Sequence, residues 1–154
     1  MPTPIHQSMV FALGSLLGQA LPDDFIVLPG VGVLVGDDEP IPDLIVCGSV
    51  ISWEDRGIPA DQVNLVVEVV SLATAAMDRK IKPEIYAHAG IPNYWRLERN
   101  RFTGQLPGED LPVLFVYALG VDGEYELTHR CPAGKETVLH IPFDVTFDPV
   151  TLLP

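Results

Sequence analysis

The run Asn64-Leu65-Val66-Val67-Glu68-Val69-Val70-Ser71 is apolar and mostly β-branched, bounded by polar residues, with one carboxylate inside it. Such valine enrichment without polar alternation predicts a strand covered on both faces, as in a mixed or parallel sheet with helices on either side. Residues two apart on a strand share a face, so Val66, Glu68 and Val70 point one way and Leu65, Val67 and Val69 the other. Withdrawing an unpaired carboxylate from water costs several kcal/mol, so Glu68 must be protonated, paired with a base or bound to a cation. Upstream, Pro40-Ile41-Pro42-Asp43-Leu44-Ile45-Val46 opens a second short apolar run with Asp43 at its mouth. Two strands could bring these carboxylates together. Like charges at one site repel unless a divalent cation sits between them, and hard oxygen ligands suit Mg²⁺ or Mn²⁺.

The chain has 154 residues and 47% hydrophobic content, the size and apolar content of one ordinary domain, so a single domain over 1–154 is expected. Its formal net charge of -12 opposes non-specific attraction to nucleic acid or anionic lipid. Cys47 and Cys131 are too few and too far apart for a disulfide framework, and reduced thiols in a cytoplasm are the simple expectation. His6, His88, His129 and His140 are scattered, which favours surface or packing roles over a zinc site.

From Pro4 to Leu21 the chain is apolar, yet no Lys or Arg precedes Arg56, so the cationic start of a secretory signal is missing. Gly14, Ser15, Gly18 and Gln19 break the run, which is too short to span a bilayer; Val10, Leu13, Leu17 and Ala20 fall at helical spacing and predict a helix docked on the sheet. Phe25 to Val35 gives two β-rich pieces around Pro29-Gly30, most economically a hairpin, and Gly48 to Gln62 is a polar connection. After Ser71, Ile81, Ile85 and Ala89 lie on one helical face and Asp78, Lys82 and Tyr86 on another. Pro83 makes this helix kink or begin there, and Gly90-Ile91-Pro92 stops it. Asn93 to Leu97 completes a strand–helix–strand unit; Leu111–Leu119, Tyr125–Arg130, Thr137–Ile141 and Val145–Phe147 add a β-rich tail, with Asp122-Gly123 as a hairpin turn.

Together, Pro42-Asp43, Leu65 to Ser71, and the block Asp78…Lys82…Tyr86…Gly90-Ile91-Pro92…Tyr94-Trp95 resemble the Uma2 family of restriction-endonuclease-like proteins, within the PD-(D/E)xK nucleases. The resemblance runs from about His6 to the C-terminus. It implies an α/β fold with a restriction-endonuclease-like core, a mixed central sheet flanked by helices, and a β-rich C-terminal extension. It also implies a Mg²⁺- or Mn²⁺-dependent endonuclease acting on DNA, with Asp43, Glu68 and the backbone carbonyl of Val69 as metal ligands. Val70 occupies the place of the superfamily's lysine, and Lys82 on the following helix is the candidate replacement. The sequence departs from the family pattern in two places: it begins almost at the first helix, without the strand pair and acidic residue usual before it, and Pro83 directly follows Lys82.

Plainer readings compete at each residue. Asp43 can cap a turn, and Asp78 and Lys82 can form a surface pair worth about 0.3–0.5 kcal/mol. Glu68 and Lys82 can form a buried ion pair that needs no metal, in a non-catalytic module of the same fold. Tyr86, Tyr94 and Trp95 suit core positions with polar tips better than base stacking. Arg79, Lys80, Lys82, Arg96, Arg99 and Arg101 concentrate basic charge in one stretch that can meet a phosphate backbone or simply be a solvated face. The tail aromatics Phe115, Tyr117, Phe143 and Phe147 suggest apolar faces that a homodimer would cover.

Overall fold

A computed structural model of the chain describes residues 1–154. In chain order its elements are α1 (Pro4–Ala20), β1 (Phe25–Pro29), β2 (Gly32–Leu34), β3 (Leu44–Gly48), β4 (Gly57–Pro59), β5 (Val63–Val70), α2 (Lys82–His88), β6 (Asn93–Glu98), β7 (Asp110–Leu119), β8 (Tyr125–Ala133), β9 (Thr137–Leu139) and β10 (Val145–Phe147). Six strands form one mixed sheet in the order β1-β3-β5-β6-β7-β8. Within it β5 and β6 run parallel and every other neighbouring pair is antiparallel. The valine-rich β5 lies inside the sheet with both faces covered, which is why its sequence never alternates with polar residues.

The two faces carry separate apolar clusters. Leu65, Val67 and Val69 pack with Met9, Leu13 and Leu17 of α1, and with Trp95, Leu114, Phe143 and Phe147. On the opposite side Val66 packs with Tyr86 of α2, Tyr94, and Val33 and Ile58 of the small parallel ribbon formed by β2 and β4. Thr3 caps α1 by accepting from the amide of His6, and Pro4 takes the first turn, where its missing N–H is no loss. No helix is long and apolar enough to cross a membrane.

One expectation needs correction. Phe25 to Val35 is no hairpin: β1 pairs with β3, while β2 leaves the main sheet to pair with β4 inside the stretch read as a polar connection. Both pieces have strand composition, but the non-local partners β3 and β4 outcompete the local pairing. The buried face of the segment after Ser71 is the polar one, with Asp78 and Tyr86 1% and 0% exposed, whereas Ile81 is 48% exposed. Of the tail aromatics, Phe115, Phe143 and Phe147 are buried within this chain and Tyr117 is half-buried, while Leu127, Val138 and Ile141 of the tail are exposed.

The α-helix begins at Lys82, one residue before Pro83. A π-helical turn, Met77–Ile81, runs into α2 with Pro83 in its first turn, and the amide of Lys82 donates to the carbonyl of Met77, five residues back. Continuing that pattern, the carbonyl of Asp78 would take the N–H of residue 83, which proline lacks. The hydroxyl of Tyr94 donates to the orphaned carbonyl instead. Gly90 ends the segment with φ +81, and Gly123 turns β7 into β8 with φ +83.

Candidate active site

Asp43 ends the loop before β3, and β3 pairs with β5 in a register that sets Leu44 opposite Val67. The Asp43 carboxylate thereby reaches the amide of Val69, which donates to Oδ2 at 2.7 Å. On the α2 side of β5, Glu68 is 1% exposed. Its Oε1 accepts from the Tyr86 hydroxyl at 2.8 Å and from Lys82 Nζ at 3.1 Å. Lys82 Nζ also lies 3.3 Å from Asp78 Oδ1, and Asp78 Oδ2 accepts from the Thr74 hydroxyl at 2.5 Å. Asp78 and Lys82 are thus no surface pair; both belong to a buried ion cluster around Glu68. Tyr86, Tyr94 and Trp95 are all buried, and the two tyrosine hydroxyls are spent on Glu68 and the Asp78 carbonyl.

His6 and Asp78 are the members that sequence reasoning missed. The His6 ring is buried, its Nε2 donating to the Val69 carbonyl at 2.9 Å and lying 3.3 Å from Asp43 Oδ2. The helical stripe contained the signal, since His6 stands three residues before Met9 and seven before Leu13 on the buried face of α1. Asp78 is hidden in sequence because its burial depends on the π turn.

Electrostatics follow from this packing. Burial pushes the Glu68 carboxyl up to about 8, opposed by the Lys82 ammonium. Asp78 is also raised, chiefly by burial. For Lys82 burial favours the neutral amine, but attraction to Glu68 and Asp78 outweighs it and the pKa rises. His6 is raised, mainly by its contact with Asp43.

His6, Asp43, Glu68, Asp78, Lys82 and Arg99 line one cavity of about 480 Å³. No three His, Cys, Asp or Glu side chains gather closely enough to enclose an ion on their own. Two carboxylates and a backbone carbonyl remain a fitting donor set for a small hard cation, which keeps several waters. Asp43 Oδ1 and Glu68 Oε2 make no protein hydrogen bond, and the Val69 carbonyl has a second lone pair beside the one His6 uses. Val70, two residues after Glu68, is buried and apolar, so the lysine at Glu68 comes from α2.

A family model described as "Uma2: Putative restriction endonuclease" matches residues 1–148. The chain belongs to the Uma2 family. Among solved structures, the Uma2 fold seen here is similar to that of an Anabaena variabilis protein described as "a putative nuclease belonging to DUF820". The TM-score is 0.70 at 16% identity, over 99% of this chain and 82% of that one, a likeness of fold. No curated protein matches the chain.

The basic stretch of this Uma2 chain is partly consumed internally. Arg79 lies 2.8 Å and Arg96 3.1 Å from Glu98, which is 1% exposed. The Arg96 guanidinium also stacks over the Phe115 ring, 4.7 Å from its centroid. Arg79 and Arg96 are thus engaged within the chain rather than free for a phosphate backbone.

Proposed function

We propose that this Uma2 protein is a divalent-metal-dependent endonuclease hydrolysing DNA phosphodiester bonds, a PD-(D/E)xK nuclease whose lysine has moved to α2. The observation that carries the reading is the meeting of Asp43, Glu68 and Lys82 in one cavity beside the Val69 carbonyl, in a chain of a restriction-endonuclease family. Asp43, Glu68 and the carbonyl of Val69 would hold Mg²⁺ or Mn²⁺, which polarises the scissile phosphate and lowers the pKa of the attacking water. The protein's own groups supply the rest. Lys82 carries an ammonium, kept charged by Glu68 and Asp78, that orients the water and offsets negative charge building on the phosphate oxygens. Tyr86 fixes the Glu68 carboxylate by its hydrogen bond, and the amide of Val69 fixes Asp43. The proposal includes a cytoplasmic setting, in keeping with two free cysteines, and a homodimer that lets two sites address two strands of a duplex.

A second reading is a non-catalytic binding or assembly module, and the Lys82–Glu68 contact favours it, because that contact offsets both charges without a metal. Isothermal titration of Mg²⁺ or Mn²⁺ distinguishes the two. The nuclease reading predicts saturable binding heat with the wild type and none with Glu68→Ala. Absence of heat from the wild type supports the module.

A further inference from the structure

Strands β5 and β6 run parallel, and Val70 is paired with Glu98 at their carboxyl ends. The chain leaves that edge through Ser71 and Arg99, where the sheets of α/β proteins commonly collect ligands. Both residues line the cavity that also holds Asp43, Glu68 and Lys82. Arg99 differs from Arg79 and Arg96 in having no carboxylate partner. Those two take Glu98, its own chain neighbour. The Arg99 Nε is buried with no hydrogen-bond partner, and no carboxylate stands within salt-bridge distance of the side chain. The acids of the cavity are engaged elsewhere: Glu68 and Asp78 face Lys82, while Asp43 faces His6 and the Val69 amide. A guanidinium donor withdrawn from water without an acceptor is costly, and an incoming anion recovers that cost.

We infer that Arg99 is the cavity's phosphate-gripping residue, holding a backbone phosphate of the nucleic acid with its fork while Lys82, fixed by its two carboxylates, faces the water and the scissile phosphate. The inference rests on the nuclease reading above. A guanidinium presents a planar fork that meets two phosphate oxygens at once, which an ammonium cannot. Position and charge agree with this role: Arg99 is the arginine of the cavity, and the volume of about 480 Å³ admits a phosphate with its sugar. Three carboxylates in the same cavity repel a bare phosphate, so the grip is expected only with a divalent cation present.

Fluorescence anisotropy of a labelled DNA duplex, titrated with the whole chain in Ca²⁺ at a series of salt concentrations, tests the assignment. Arg99→Ala is expected to bind about tenfold more weakly and to lower the slope of log affinity against log salt by about one. Arg99→Lys keeps the charge, so it retains the slope but loses several-fold in affinity because the fork is gone. Lys135→Ala, at an exposed position in the turn after β8, removes the same charge far from the cavity and leaves affinity near wild type. Thermal melts establish that the variants are folded; if Arg99→Ala melts far below wild type, Arg99→Lys decides alone. Wild-type affinity in a folded Arg99→Ala or in Arg99→Lys overturns the assignment and leaves the nuclease reading standing. A wild-type protein that binds no duplex in Ca²⁺ contradicts both.

Discussion

Lys82 carries the most consequence of any single side chain, because it is the cation facing two carboxylates that are each 1% exposed. Removing it leaves uncompensated buried charge. Lys82→Ala is therefore expected to lose about 3–5 kcal/mol of stability in metal-free buffer, measured by urea denaturation. On the nuclease account Mn²⁺ restores much of that loss, since a cation at Glu68 replaces the missing one, while turnover stays low. A loss that Mn²⁺ does not touch would mark Glu68–Lys82 as an ion pair alone. Glu68 was legible in the sequence because a carboxylate inside an uninterrupted valine run has few cheap fates. His6 was not, because one histidine in an apolar helix has many, and the contact with Asp43 that singles it out joins residues 6 and 43 across the fold.

Among the elements, β5, β6 and the strands of the tail were visible as runs of the right composition, and the β7–β8 turn as Asp122-Gly123. Pairing was not visible for β1 and β2, where the deciding partners are β3 and β4, distant in sequence. The π turn was equally hidden. Pro83 withholds a donor from the Asp78 carbonyl, and Tyr94 supplies one from a strand 16 residues further along the chain. Tyr94→Phe orphans the buried Asp78 carbonyl and is expected to cost about 1–3 kcal/mol by denaturant unfolding. Adding Pro83→Ala returns an N–H that can reach the same carbonyl, so the double variant is expected to recover part of the loss. Strict additivity of the two changes would show that the proline and the tyrosine do not share that carbonyl.

For the molecule as a whole, the net charge of -12 extends into the cavity, where Asp43, Glu68 and Asp78 outnumber Lys82 and Arg99. On the proposed nuclease reading, DNA binding would therefore depend on a small site and a divalent cation rather than on bulk attraction. The proposed homodimer cannot draw on Phe115, Phe143 or Phe147, which are internal; the outer strands β1 and β8 are the sheet edges. Sedimentation at micromolar concentration is expected to give twice the 16.8 kDa chain mass, and a lone 16.8 kDa species contradicts the dimer. The central claim meets its most direct test in cleavage of supercoiled plasmid DNA with Mn²⁺ by the wild type and by folded Asp43→Ala and Glu68→Ala proteins. The account predicts nicked and linear products from the wild type and none above background from either variant. Intact plasmid with the wild type, or products from Glu68→Ala at the wild-type rate, would contradict it.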